Sequence, residues 1–286
     1  MNPWIEKYRP SDLHSIVLDE NYKIMFDTMV DHLFIPHVLL YGPPGTGKTT
    51  TITCLLNKIK DKYNMKHNII HLNASDDRGV DIIRNTVYNF AQSDGFFTNT
   101  ELKFVVLDEV DSMTKPAQQS LLLLLNYTNV RFFLICNYIS KLIPPLRHKC
   151  LTLNFYNIPN YKDYLNNIIE KEQIQISPET LNDIVYNYYP DIRGMVNALQ
   201  TYKHLKCEFI KEKQIESICN NYSFTRFKKI TKPFSYKEFN QKLFMHILIH
   251  YNIDHTLLHY MKEIIFNNDI VFLNNVFFPY FINIQN

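Results

Sequence analysis

Paired cysteines are missing from this sequence. Its five, Cys54, Cys136, Cys150, Cys207 and Cys219, are scattered without a C-x-x-C spacing. That pattern disfavours a zinc site and a disulfide framework alike, and leaves reduced thiols of an intracellular protein as the plain reading. Long apolar runs are missing too. No stretch approaches the roughly 18 apolar residues of a membrane span, and residues 1–7 contain no apolar h-region. The expectation is a soluble protein with no membrane partner, cytosolic or nuclear. A charge excess is also lacking, with 30 lysines and arginines against 28 acids and a net charge of +2. Bulk charge therefore cannot argue for nucleic acid, and any DNA site must be a local patch. There is no internal repeat and no low-complexity tract.

What is present is a chain of 286 residues, 46% hydrophobic and 20% charged, a composition that folds and a length that exceeds one compact core. Short apolar runs at 37–41, 69–72, 104–108, 131–136 and 151–155 alternate with helical patterns. Continuous apolar strands separated by helices predict a parallel sheet covered on both faces, an α/β nucleotide-binding core over 1–157. After Pro159 the character changes. Ser177-Pro178-Glu179 opens a helix, with serine as N-cap and proline in the first turn, inside a helical domain over 158–222. Residues 223–233, with Arg226-Phe227-Lys228-Lys229, read as a basic connector. They lead into a helical segment over 223–286, where Phe239, Leu243 and Ile247, then Leu257, Leu258, Met261, Ile264 and Ile265 recur at helical spacing. Met245 and Met261 read as core filler.

The chemistry begins at Gly42-Pro43-Pro44-Gly45-Thr46-Gly47-Lys48-Thr49, which satisfies G-x-x-x-x-G-K-[ST] between a predicted strand and a helical run that starts at Thr50. Glycines let the backbone curl so that amides face phosphates at a helix N-terminus, whose dipole favours an anion. Lys48 is placed to reach the β- and γ-phosphates and the Thr49 hydroxyl to bind Mg²⁺. The strand ending at Leu107 delivers Asp108-Glu109. Asp108 is the expected Walker B metal ligand, and Glu109 the general base that polarises an attacking water.

Several segments together resemble the small subunits of replication factor C, the clamp loader. They are Pro3-Trp4-Ile5-Glu6-Lys7-Tyr8-Arg9-Pro10, the P-loop, Leu72-Asn73-Ala74-Ser75-Asp76-Asp77-Arg78-Gly79, Leu107-Asp108-Glu109 with Met113-Thr114, and Cys136-Asn137-Tyr138. The resemblance spans residues 3 to 200. It implies an AAA+ core, a helical lid and a C-terminal collar, with ATP and Mg²⁺ as ligands. It sets Tyr8, Arg9 and Pro10 near the adenine, Pro43, Pro44, Thr46 and Thr50 in the cofactor loop, Asn137 as sensor 1 and Arg193 as sensor 2. From the residues alone, Asn137 reads equally as a turn cap and Arg193 as a solvated helix residue. The resemblance also puts Arg78 and Arg84 against the phosphate backbone of primer-template DNA, although Arg84 also reads as a solvated helix charge. Phe96 and Phe97 are anchors for the sliding clamp or else a core pair.

The sequence departs from that family in three places. The arginine finger of a Ser-Arg-Cys motif is replaced in His148-Lys149-Cys150, so Lys149, with Arg147 as substitute, becomes the trans-acting cation; lysine lacks the planar fork of arginine. Leu121 to Leu125 stand where the family carries a basic pair. Gly194 follows Arg193 where a second arginine is common, and glycine costs roughly 1 kcal/mol inside a helix. The apolar end, Val276 to Phe281, predicts packing against other subunits. The function implied is a motor subunit of a hetero-oligomeric loader that places a sliding clamp on primed DNA. Alternatives are an ATP-binding scaffold subunit with weak hydrolysis or another AAA+ remodelling ATPase. The implied location is the nucleus for a cellular eukaryotic protein and a cytoplasmic replication site for a viral one.

Overall fold

The computed structural model describes residues 3–65, 68–75, 80–92, 102–157, 159, 161–267 and 270–285, with backbone only at 80–84. In chain order the elements are α1 (Trp4–Lys7), α2 (Glu20–His32), β1 (Val38–Tyr41), α3 (Lys48–Tyr63), β2 (Ile69–Asn73), α4 (Val80–Gln92), β3 (Lys103–Asp108), α5 (Lys115–Leu124), β4 (Val130–Cys136), α6 (Pro144–His148), β5 (Leu151–Asn154) and α7 (Tyr161–Lys171). There follow α8 (Pro178–Tyr188), α9 (Ile192–Leu205), α10 (Glu212–Asn220), α11 (Phe224–Thr231), α12 (Tyr236–His250), α13 (His255–Asn267), α14 (Ile270–Phe272) and α15 (Phe278–Gln285). Packing divides the chain into two units: residues 1–174 with 190–200, and residues 175–189 with 201–286.

In the first unit the five expected strands form one sheet in the order β2-β3-β4-β1-β5, every neighbouring pair parallel. Alternate residues feed two cores. Val38, Leu40, Phe104, Val106, Phe133, Ile135 and Leu153 face Phe26 and Val30 of α2 and Ile52, Leu55 and Ile59 of α3. Leu39, Val105, Leu107, Phe132, Leu134 and Cys136 face Val87 of α4, Leu121 and Leu124 of α5 and Leu146 of α6. Each such fully buried aliphatic or aromatic side chain contributes about 1.5–3 kcal/mol of transfer free energy, which explains why β1, β3 and β4 are apolar on both faces. Within the leucine run, Leu121, Leu124 and Leu125 are buried, whereas Leu123 is 66% exposed.

The second unit is helical and is organised round Phe227, Phe239, Leu243, Phe244, Ile247, Leu257, Met261, Phe277, Phe278 and Phe281. Ser177 caps α8, its hydroxyl accepting from the Thr180 amide. Lys242 on α12 donates to the carbonyls of Tyr186 and Asn187, satisfying acceptors where the dipole of α8 is negative. Three sequence expectations need correction. The basic connector contains helix α11, because Phe227 and Thr231, four residues apart, are buried while Arg226, Lys228 and Lys229 stay in solvent. Met245 is not core filler; it is 55% exposed, and Leu258 and Ile265 are also exposed. The apolar end buries Phe277, Phe278 and Phe281 in the unit's own core, so it needs no outside partner to leave water. A π-helical turn over Leu273–Phe277 admits the extra residue that lets two consecutive phenylalanines face inward. Among the described residues no helix is long and apolar enough to cross a membrane.

Candidate nucleotide site

Every chemically relevant loop of the first unit leaves the C-terminal end of a strand. The P-loop follows β1, Asp108 ends β3 and Asn137 follows β4. Because β4 lies between β1 and β3, Asn137 stands between the P-loop lysine and the acidic pair.

The P-loop curls through glycine geometry that L side chains resist: φ is +147° at Gly42, +74° at Gly45 and +88° at Gly47. A Cβ on Gly42 would stand 3.0 Å from the Phe155 backbone, and one on Gly45 would fall 1.6 Å from Asp191 Oδ1, whereas nothing lies within 4 Å of one on Gly47. The Thr46 hydroxyl closes the loop on the Pro43 carbonyl at 2.9 Å. Helix α3 then begins at Lys48 with no side-chain cap, leaving its first amides available to an anion.

Lys48 is buried, and its Nζ donates to the carbonyls of Gly42 (2.8 Å) and Pro43 (2.7 Å) and to Asn137 Oδ1 (3.1 Å). Burial pulls its pKa down, while Asp108, Cys136 and Asp111 push it up and Arg193 adds a smaller downward push. The Thr49 hydroxyl donates to Asp108 Oδ2 at 2.8 Å, and Asp108 Oδ1 accepts from the Glu109 amide at 2.8 Å. Hydroxyl and carboxylate thus converge as two oxygen donors of the kind Mg²⁺ selects. Glu109 is exposed and holds a left-handed backbone, φ 57° and ψ 36°, a conformation that costs an L-residue roughly 1–2 kcal/mol.

A cavity of about 500 Å³ joins these groups, within the range of small-molecule sites. Its walls include Arg9, Pro10, Pro44, Gly45, Thr46, Gly47, Lys48, Thr49, Thr50, Asp108, Glu109, Asn137 and Arg193, with Ile5, Ile16, Val17, Tyr164 and Val196 as an apolar side. Gly42 and Pro43 act through the carbonyls that hold Lys48. Tyr8 is not among the wall residues; its hydroxyl donates to Glu172 Oε1 at 2.6 Å and its carbonyl accepts from Tyr164 at 2.9 Å. Arg193 is exposed on the first turn of α9. Gly194 lies in that same turn, its amide capped by Asp191 Oδ1 at 3.0 Å, so the penalty for a mid-helix glycine does not apply.

Lys149 follows α6 and donates to Asn126 Oδ1, outside the cavity walls. The Nε of Arg147 is buried and finds no partner among the described residues. Arg78, Phe96 and Phe97 lie outside the described residues, and Arg84 belongs to α4 with its side chain likewise outside them. Sequence reasoning passed over three residues that hold the site together. The Asp111 carboxylate accepts from the amides of Asn137 (3.4 Å) and Tyr138 (3.2 Å). Asp191 caps α9 against Gly45, and Glu172 anchors Lys7 and Tyr8. The carboxylate of Asp111, three residues past Asp108, was the one readable signal.

Comparison with known proteins follows the same lines. The family described as ATPases associated with various cellular activities, AAA, matches residues 38–157. Probable replication factor C subunit 5 of Caenorhabditis elegans is 38% identical over 70% of this chain and 57% of its own length. Replication factor C subunit 5 of Homo sapiens is 39% identical over 70% and 59%. Replication factor C subunit 3 of Saccharomyces cerevisiae is 37% identical over 70% and 60%. The chain therefore matches somewhat under two thirds of the length of these relatives. Among solved structures, the Holliday junction branch migration motor RuvB of Thermotoga maritima aligns with TM-score 0.53 and 15% identity over 90% of this chain and 79% of that one, a likeness of fold alone. With its P-loop, its acid pair and a five-stranded parallel sheet, the chain has the AAA+ fold and is similar in sequence to replication factor C subunits 5 and 3.

Proposed function

We propose that this chain is an ATP-hydrolysing subunit of a clamp-loader assembly, acting with other subunits, a sliding clamp and primer-template DNA. The observation that carries this reading is the meeting of Lys48, Thr49, Asp108, Glu109, Asn137 and Arg193 on one cavity. The P-loop amides and Lys48 bind the phosphates of ATP. Thr49 and Asp108 hold Mg²⁺, which when bound supplies positive charge against those phosphates. Asn137 accepts from Lys48 and, beside the γ-phosphate of bound ATP, its amide orients the attacking water. Glu109 takes the proton of the attacking water, and its exposure leaves the carboxylate open to that water. Arg193, from α9, registers the triphosphate. On this reading residues 158–222 serve as lid and 223–286 as collar, Arg78 and Arg84 meet DNA phosphates, and Phe96 and Phe97 meet the clamp. The exposed Met245, Ile249, Phe266 and Val271 provide apolar surface for neighbouring subunits.

ATP turnover of the assembly tests the reading. Glu109→Gln is expected to lower turnover stimulated by primed DNA and clamp by roughly 10²–10⁴-fold, with nucleotide binding retained. Unchanged turnover refutes hydrolysis by this subunit. The scaffold alternative draws on the Lys149–Asn126 hydrogen bond, which engages the lysine at the finger position. If Lys149→Ala leaves turnover intact while Glu109→Gln abolishes it, the subunit hydrolyses ATP without lending a finger.

A further inference from the structure

The second unit carries a cluster that the nucleotide reading leaves unused. His246 and His250 stand four residues apart on α12, so both imidazoles leave one face of the helix. Their ring centroids are 4.5 Å apart. Glu212, the first residue of α10, faces them, and one donor atom from each of the three residues lies within 4.8 Å of the others. His246 is 6% exposed. Among the described residues none of the three side chains takes part in a hydrogen bond or an ion pair.

The donor set is two imidazoles and a carboxylate. That combination suits zinc and its first-row neighbours, whereas magnesium and calcium select all-oxygen shells. A tetrahedral ion with bonds of about 2.1 Å holds its donors roughly 3.4 Å apart. Glu212 and His250 are exposed, so their side chains are free to close the remaining gap. Glu216, one turn along α10, adds a second negative charge within electrostatic reach of His246.

We propose that Glu212, His246 and His250 bind one divalent first-row transition cation of the zinc class, clipping α10 to α12 with water completing the shell. The test uses the full chain stripped with chelator and dialysed, without nucleotide or magnesium. Zn²⁺ is titrated by calorimetry, and Co²⁺ by visible absorption. The expected result is one equivalent bound, a cobalt spectrum without a thiolate charge-transfer band, and an unfolding midpoint raised by several degrees in zinc. His250→Gln and Glu212→Gln, both at exposed positions, are each expected to weaken affinity at least tenfold and to abolish that shift, with far-UV dichroism unchanged. Absence of binding by the unaltered chain overturns the proposal. So does affinity unmoved by both variants, or a thiolate band, which would assign the metal to cysteine.

Discussion

Replacing Gly45 by alanine isolates how the P-loop is held. Two costs can be worked from the structure. The first is conformational, since φ of +74° lies where an L-residue loses roughly 1–2 kcal/mol. The second is steric. The new Cβ would stand 1.6 Å from Asp191 Oδ1 and 2.4 Å from its Cγ, so the carboxylate must leave. Leaving breaks its hydrogen bond to the Gly194 amide, a helix cap worth about 1 kcal/mol. The sum is about 2–3 kcal/mol. Gly47→Ala is the internal control: its φ is +88° but nothing lies within 4 Å of the added methyl, so only the conformational cost of about 1–2 kcal/mol remains. Urea unfolding of both variants, each with and without Asp191→Ala, measures the difference. The excess cost of Gly45→Ala over Gly47→Ala should vanish once Asp191 is already alanine. Persistence of the excess in that background refutes the assignment of Asp191 as the group displaced.

Other perturbations address other parts. His37 accepts from the Phe132 amide at Nδ1, and its Nε2 lies 3.0 Å from the Leu125 carbonyl, a pairing that suits the neutral ring. Burial, then the charges of Arg131 and Lys149, hold its pKa below the ordinary 6.5, against an upward pull from the Leu125 carbonyl. Below pH 6.5 the unfolded chain takes up a proton that the folded chain resists. Stability is therefore full above 6.5 and is lost as pH falls through the folded value; His37→Gln should flatten that slope in denaturation curves between pH 7 and about 5. Phe278 is fully buried and stacks on Tyr222 with centroids 3.7 Å apart. Phe278→Ala should cost about 3–5 kcal/mol, whereas Phe266→Ala, at a side chain 76% exposed, should stay within about 0.5 kcal/mol; equal costs by thermal unfolding would contradict the described core. Ser177→Ala removes the cap of α8 and should lower stability by about 1 kcal/mol, with Ser177→Asp restoring most of it.

The first unit was legible because its signals are local. Each strand is an apolar run bounded by polar residues, and the P-loop is read from eight consecutive residues. Ser177-Pro178 announced its helix for the same reason. What was not legible depends on partners distant in sequence. Asp191 caps a helix against Gly45, and Gln200 accepts from the Trp4 amide at 3.0 Å; neither pairing leaves a trace in a window of neighbours. The basic residues of α11 hid a helix because only Phe227 and Thr231 face inward. Met245 resembled core residues, but the burying face of α12 runs through Phe239, Leu243 and Ile247, and Met245 lies off it. The inward turn of Phe277 and Phe278 depends on a π-helical turn, which breaks the 3.6-residue rule by which such runs are read.

The strand order carries a consequence for tolerance to insertions. Asn137 comes directly after Cys136, which pairs with Tyr41 across the β1–β4 ladder, so its height above the sheet is set by counting residues along β4. Gaining or losing one residue inside that strand would move Asn137 by about 3.3 Å and turn it to the opposite face, beyond reach of Lys48. The same change in a connection at the far edge of the sheet would leave the amide where it is. Insertions scanned through the first unit should therefore be disabling within β1, β3 and β4 and in the connections at their C-terminal ends, which carry the P-loop, Glu109 and Asn137, and silent in the connections at the opposite end of the sheet.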